Sequence, residues 1–279
     1  MKRFLIAIFA FVMLMFSCRG SRMTGNDGDA PADTVDTVDA APVDTMEQLI
    51  AETPMPKAAD ELFDDFFFNF AANKTLQMER IVFPLPVVKG SKTDSIRKGQ
   101  WKMDHFFMRQ GYYTLIFDSR KQMSLLKDTS VSHVVVEKVF FNIKTVKQYV
   151  FDRMNGLWML HSVNIIPLYK SPNSSFLKFY HSFASDSTFQ IGSLDETVSF
   201  IGPDPDDDFG QMEGVITPDT WPAFAPELPS EMIYNINYGQ NYGNSNTKIF
   251  VISGISNGLD MELTFKRHEG RWLLTKMRT

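Results

Sequence analysis

The side chains that most often carry chemistry are sparse in this chain of 279 residues, and the spacing of the histidines matches no metal-binding pattern. No histidine belongs to an H-x-x-x-H or H-E-x-x-H pattern, so the sequence predicts no zinc site. The G-x-S-x-G match at residues 254–258 lies between two predicted strands, whereas a serine nucleophile of this type needs a turn from a strand into a helix. The histidines are His105, His133, His161, His181 and His268.

An acidic run in the second half of the chain offers oxygen ligands. It contains Asp204, Asp206, Asp207 and Asp208. Oxygen-rich loops of this kind bind Ca²⁺ in extracytoplasmic proteins. The run lacks the ligand order and the closing glutamate of an EF-hand, which favours a solvated acidic loop. Calcium binding by residues 204–208 stays open.

Aromatic side chains beside polar turns form a second candidate site. Trp221, Tyr234, Tyr238 and Tyr242 flank loops rich in Asn and Gly. Such a mixture is suited to stacking on sugar rings or to holding a peptide. The alternative is a long hairpin loop made of good turn residues. Trp158 and Trp272, by contrast, occupy a repeated position that is typical of a core, and we assign both to structure.

The first residues of the chain are typical of a secretory signal. Met1-Lys2-Arg3 is basic, and an apolar run follows that is too short to span a bilayer. The chain has one cysteine, Cys18, directly after Ser17. This stretch resembles the lipobox of bacterial lipoproteins, although Phe16 is bulkier than the residue usual there. The resemblance implies a signal peptide over residues 1–17 and acylation of Cys18.

The next segment, residues 18–56, predicts an acidic disordered tether. Residues 1–56 hold eight of the 33 acidic residues and four of the 28 basic ones, so the rest of the chain is nearly neutral despite a net charge of -5. A self-repelling segment without aromatic residues stays extended. The near-neutral remainder lacks the clustered excess of Lys and Arg of a nucleic-acid binder.

A repeated pattern indicates how the rest of the chain is organised. F-x-R-x-x-G-x-W-x-L occurs at residues 151–160 and again at 265–274, and each copy predicts a hairpin with glycine at positive φ. The aromatic pattern of residues 63–71 likewise returns at 176–184, followed in both copies by a T-x-Q motif. The repeat predicts two domains of one fold, at 57–170 and 173–279.

Each half begins with an aromatic helical stripe and continues with several alternating strands. We therefore predict an α+β protein of two tandem cone-shaped domains, each with N-terminal helices packed on a curved antiparallel sheet. This order and the closing hairpin resemble the nuclear transport factor 2-like (cystatin-like) superfamily, which includes the ketosteroid isomerase and SnoaL groups. A tandem pair behind a lipobox is similar to uncharacterised envelope proteins of Gram-negative bacteria.

The isomerase-type members of that superfamily imply an ionisable aspartate beside a tyrosine donor in an apolar pocket. The nearest constellation here is Asp104-His105, close to Trp101 and followed by Tyr112 and Tyr113. These residues are candidates for ligand binding. Because sequence neighbours point to different sides of a strand, a structural role on the rim is the alternative.

Three hypotheses of function follow from the sequence. The first is a membrane-anchored, non-catalytic binding or scaffolding module of the cell envelope, with a small molecule, glycan or protein as ligand in a cone or on the loops. The second is an isomerase- or dehydratase-like enzyme acting on a small apolar ligand. The third is a purely structural envelope protein. The sequence implies no cofactor and no nucleic acid, and it favours the outer membrane as location without indicating which side.

Overall fold

The computed structural model describes residues 60–279, apart from residues 205 and 244. All of them belong to one compact unit of the chain. The described elements of the first half are α1 (Phe63–Ala72), α2 (Lys74–Arg80), β1 (Leu85–Lys89), β2 (Lys92–Ile96), β3 (Tyr112–Phe117), β4 (His133–Phe140), β5 (Thr145–Met154) and β6 (Leu157–Pro167). The predicted signal peptide, tether and Cys18 lie outside the described residues.

The second half repeats this order of elements. They are α3 (Ser174–Ser185), α4 (Ser187–Ile191), β7 (Leu194–Asp204), β8 (Asp207–Ile216), β9 (Met232–Asn237), β10 (Thr247–Gly254), β11 (Asp260–His268) and β12 (Arg271–Arg278). Single 3-10 turns lie at Lys98–Gln100, Arg120–Lys127, Leu168–Lys170 and Trp221–Ala223. The prediction of an α+β fold is confirmed, since the structure has few helices and a large curved sheet.

The short helices α2 and α4 begin at a side-chain N-cap, and the longer helices α1 and α3 bury the faces that the aromatic spacing predicts. The Asn73 side chain caps α2 by accepting a hydrogen bond from the Leu76 amide, and Asp186 caps α4 in the same way. The apolar stripes of α1 and α3 are buried, and their members are Phe63, Phe66, Phe67, Phe70, Phe176, Leu177, Tyr180 and Phe183.

All twelve strands form one sheet, in the order β2-β1-β6-β5-β4-β9-β3-β10-β11-β12-β7-β8. β9 of the second half pairs with β4 over six positions, and β3 of the first half pairs with β10 over six. β3 and β9 meet in parallel at Thr114 and Asn235 alone. The expectation of a separate sheet in each half is wrong, because all twelve strands form one sheet and each half contributes one strand to the other. The domain boundaries themselves stay a prediction.

The central strands are buried on both faces. Ile249 and Val251 of β10 pack in a core with α1, whereas the alternating residues Phe250 and Ile252 pack in a core with α3. Side chains of successive strand residues point to opposite faces, so the two cores lie on opposite sides of these strands. This explains why β10 reads as a continuous apolar run.

The two Trp-bearing hairpins have the geometry that their glycines predict. Asn155 and Gly156 have φ of 52° and 82°, and Glu269 and Gly270 have φ of 49° and 80°. Positive φ at both central residues is the signature of a type I′ turn. The following tryptophans, Trp158 and Trp272, are buried in the two cores, which confirms their assignment to structure.

The acidic run near residue 204 is not a long loop. β7 extends to Asp204 and β8 starts at Asp207, so the run forms a tight hairpin between two long strands, where the Asp206 amide donates to the Asp204 carboxylate. The strands β7 and β8 therefore continue into the acidic run from either side. No helix among the described residues is long and apolar enough to cross a bilayer.

Candidate functional site

Trp101 and Trp221 are equivalent structural residues. Trp101 Nε1 donates to Gln77 Oε1 at 3.1 Å, and Trp221 Nε1 donates to Gln190 Oε1 at 2.8 Å. Each glutamine also donates to a carbonyl at the end of the preceding helix, Phe70 or Phe183. The repeated T-x-Q motif was the sequence signal for this network. Trp221 is 1% exposed, so its expected place beside a surface loop is wrong.

Asp104 does find a tyrosine donor, but not the predicted one. Its carboxylate accepts a hydrogen bond from the Tyr149 hydroxyl of β5, and burial followed by the nearby Asp104 charge raises the pKa of Tyr149. Tyr112 packs instead against the core around α3. His105 is the next residue along an irregular segment, where neighbouring side chains need not face the same side. Among the described residues, no hydrogen bond joins the His105 side chain to Asp104 or Tyr149.

Tyr234 belongs to the same neighbourhood as Asp104. Burial raises its pKa, with a smaller contribution from Asp104, and the Lys138 ammonium lies 5.0 Å from its ring centroid. Tyr234 is 3% exposed, so the prediction that it lies at a ligand site beside a polar turn is wrong. The strand β9, which lies between β4 and β3, carries Tyr234 into the interior.

Tyr238, another of the aromatic candidates, is also buried. Its hydroxyl donates a short hydrogen bond to Asp64 in the first turn of α1. Burial raises the pKa of Asp64 to about 6, while the hydrogen bond from Tyr238 acts in the opposite direction. This contact joins a helix of the first half to a strand end of the second, a pairing that sequence order could not reveal.

Tyr242 is half-buried and serves a polar network beneath the sheet. Its hydroxyl donates to the Ile116 carbonyl at 3.1 Å and accepts from Gln240 at 2.8 Å. The Lys248 ammonium lies 4.8 Å from its ring centroid and pairs with Asp118 at 2.5 Å. The four predicted aromatic residues are therefore not assembled into one surface site.

A different region, which the sequence did not single out, has the form of a ligand site. Two cavities of about 510 and 380 Å³ lie along α3 and share Ser175 and Lys178. We call them together the basic groove. Its other lining residues are Phe141, Lys144, Leu168, Tyr169, Ser174, Phe179, His181, Ser182, Phe189, Gly192, Ser193, Arg267, Gly270, Arg271 and Trp272.

The basic groove contains four permanently basic side chains and no acidic one. They are Lys144, Lys178, Arg267 and Arg271. None of the four forms an ion pair with a carboxylate of the described residues. Three aromatic side chains, Phe179, Phe189 and Trp272, line the larger cavity. The site offers cationic donors beside ring faces, a combination that suits an anionic ligand with an apolar part.

The type I′ turn at Glu269-Gly270 sets the positions of the two arginines. Arg267 donates to the Gly270 carbonyl at 3.4 Å, and its guanidinium lies 5.6 Å from the Trp272 ring centroid. Arg271 donates to the Gly192 carbonyl at 3.3 Å. Each described hydrogen bond uses one of the five N–H donors of a guanidinium, which leaves several for a ligand.

A neighbouring cavity of about 610 Å³ shares Gly192, Arg267 and Arg271 with the groove but has a mixed lining. Asp195, Glu196 and Glu269 line it together with Lys266 and His268. Acidic and basic groups balance there, so the excess of positive charge is confined to the α3 side of the hairpin.

The helices on a large curved sheet, and the repeated closing hairpin, define an NTF2-like protein. A crystal structure of an NTF2-like protein from Bacteroides fragilis is similar to this chain, with 42% identity over 81% of this chain and 98% of the other and a TM-score of 0.73. The chain belongs to the family described as domain of unknown function DUF4348, whose profile matches residues 42–279. A comparison with curated proteins found no match.

Proposed function

We propose that this NTF2-like protein is a non-catalytic binding module of the cell envelope, and that the basic groove is its ligand site. The observation that carries the proposal is that the groove's four cations form no ion pair with a carboxylate of residues 60–279, in a chain whose net charge is -5. Clustering of one sign of charge in a concave site raises the local concentration of ligands of opposite sign.

The apolar part of the groove supports a ligand that is more than a simple ion. Phe189 and Tyr169 are 40% and 74% exposed, and Trp272 forms the floor near Arg267. Exposed aromatic faces beside polar groups are typical of ligand sites, where rings supply contact area and the polar groups supply orientation. The ligand class is therefore an anion with an apolar or ring-shaped portion.

Binding of anilinonaphthalene sulfonate, a fluorescent aromatic sulfonate, to the full chain tests the proposal. We expect saturable binding that weakens at least tenfold in a Lys178→Ala/Arg271→Ala variant. Lys98→Ala, an exposed lysine of the first half, is the matched control and should bind as the unmodified protein does. Equal affinity of the groove variant and the control would contradict the proposal.

Anchoring through Cys18 is part of the same proposal. The basic n-region, the short apolar run and the cysteine after Ser17 support it, and several acyl chains on one residue would hold the protein firmly at a membrane. The outer membrane is the proposed location. Cys18→Ser should move the protein from the membrane fraction to the soluble fraction in detergent partitioning; a variant that stays with membranes after a salt wash would contradict the lipid anchor.

An isomerase-like activity is the second candidate, favoured by the hydrogen bond between Asp104 and Tyr149. A carboxylate can accept a proton from carbon while a tyrosine donates to the developing enolate. Conversion of a β,γ-unsaturated ketone to its conjugated isomer, followed by absorbance, tests this role. Activity lost in both Asp104→Asn and Tyr149→Phe would favour it, and no activity in the unmodified protein would remove it.

A further inference from the structure

The first half of the chain contains a counterpart of the basic groove that is already filled. The repeat aligns Arg153 and Trp158 with Arg267 and Trp272 at identical places in the hairpin motif. The guanidinium lies over the indole in both, at 4.9 Å in the first half and 5.6 Å in the second. We call this surface, an arginine over a tryptophan, the platform: Arg153 and Trp158 in the first half, Arg267 and Trp272 in the second. The first platform shows what can occupy it.

The occupant in the first half is an acidic segment of the chain itself, just before α1. The Asp60 carboxylate accepts two hydrogen bonds from Arg80, at 2.8 and 2.9 Å, and one from the Trp158 amide at 3.2 Å. Arg153 donates to the backbone carbonyls of Asp60 and Glu61. Asp60 is 6% exposed, so a carboxylate and two consecutive carbonyls cover the platform.

No segment among residues 60–279 covers the second platform in this way, and the helix beside it starts earlier. The repeat aligns Asp60 with Asn173, yet α3 already begins at Ser174, the counterpart of Glu61, whereas α1 begins only at Phe63. Asn173 turns elsewhere and accepts a hydrogen bond from Lys248 at 2.7 Å. The larger cavity of the groove lies where the Asp60 segment lies in the first half, beside Trp272 and Arg267.

The charge differences between the two platforms match this difference in occupancy. Asp65 of α1 is replaced by Lys178 of α3, and Leu157 of the first hairpin is replaced by Arg271. Arg80 is replaced by the neutral Ser193. The covered platform is balanced by its own aspartate, while the open one has gained positive charge and has no internal carboxylate.

From this comparison we infer that the basic groove binds an extended acidic peptide, which presents an Asp or Glu carboxylate and neighbouring backbone carbonyls as Asp60 and Glu61 do in the first half. The inference rests on the proposed function of the groove and specifies its ligand. A phosphate or sulfate would satisfy the charge alone. The pair of carbonyls that Arg153 binds is a feature of peptide backbone, and Arg267 has the free donors to bind the same pair.

The test uses a synthetic peptide with the sequence of residues 59–62, Ala-Asp-Glu-Leu, blocked at both ends and carrying a fluorescent label. Its fluorescence polarisation is followed on titration with the full chain. We expect saturable binding that is at least tenfold weaker for the peptide Ala-Asn-Gln-Leu, because the amides keep the backbone carbonyls and remove the charge. Arg267→Ala and Arg271→Ala should each weaken binding at least threefold, and Lys98→Ala should leave it unchanged.

Three outcomes would overturn the inference. The first is equal binding of the acidic and amide peptides, and the second is acidic-peptide binding that the groove variants do not affect. The third is binding of anilinonaphthalene sulfonate and inorganic phosphate in the groove without binding of the acidic peptide; this result would leave the groove as an anion site and remove only its peptide ligand. Failure of the sulfonate and of both peptides to bind would remove the proposed function as well.

Discussion

The contact that closes the first platform has a measurable energetic consequence. Asp60→Asn removes the charge that faces Arg80 and keeps the shape of the side chain. The Asp60 and Arg80 side chains are 7% and 13% exposed and share two hydrogen bonds. Breaking one partner of a buried pair costs about 3 to 5 kcal/mol, whereas an exposed pair contributes about 0 to 1 kcal/mol. Because the amide can still accept from Trp158, we expect a loss of about 3 kcal/mol.

Urea denaturation of the full chain, followed by circular dichroism, measures this loss. Asp94→Asn, on the exposed edge strand β2, is the matched control and should change the free energy of unfolding by less than about 0.5 kcal/mol. The double variant Asp60→Asn/Arg80→Met should lose less than the sum of the single variants, because it leaves no uncompensated charge. Equal, small losses in Asp60→Asn and Asp94→Asn would refute a buried, closed first platform.

Three other predictions concern the framework. First, the pKa of Asp64 is raised to about 6 in the folded protein, against about 4 in the unfolded chain. The contribution of Asp64 to stability is therefore largest below about pH 4 and declines as the pH rises through about 6. In a profile of unfolding free energy against pH, Asp64→Asn should remove a decline of about 2 to 3 kcal/mol over this range. Gly270→Val should lower the melting temperature through strain of about 1 to 3 kcal/mol at a φ of 80°, and an unchanged melt would contradict the type I′ turn. Residues 57–170 and 173–279, expressed separately, should fold only when mixed, since β3 and β9 each pair with the other half; a dispersed NMR spectrum of either fragment alone would contradict this exchange.

The repeat predicted which elements exist but not how their edges pair. Aromatic spacing located α1 and α3, and the glycines located both hairpins, because these features depend on residues close in sequence. β3 pairs with β10 and β9 pairs with β4, so each strand joins the other half. This choice depends on which strand edge is nearer in space, and not on residues close in sequence. The residues of β3 are mostly apolar and those of β9 alternate, and neither pattern indicates whether the partner strand is β4 or β10.

The ligand site was missed for a different reason. Arg153 and Arg267 occupy the same place in the two halves, and these shared positions build the platform. The proposed function rests instead on positions where the halves differ, namely Lys178 in place of Asp65 and Arg271 in place of Leu157. A comparison of charge between the repeats would have found them. Asn173, directly before α3, accepts a hydrogen bond from Lys248 of β10, and the residues near Asn173 in the sequence do not indicate this partner.

Binding of an acidic peptide in the basic groove is tested most directly by an NMR titration of the full chain with that peptide. The titration is observed at the indole N–H signals of the four tryptophans. Trp272 lines the groove, whereas Trp158 belongs to the covered platform, and Trp101 and Trp221 donate to Gln77 and Gln190, neither of which lines the groove. The account predicts a saturable shift of the Trp272 signal, assigned with Trp272→Phe, while the other three stay in place. A titration that leaves Trp272 unmoved, or that shifts another tryptophan instead, would contradict it.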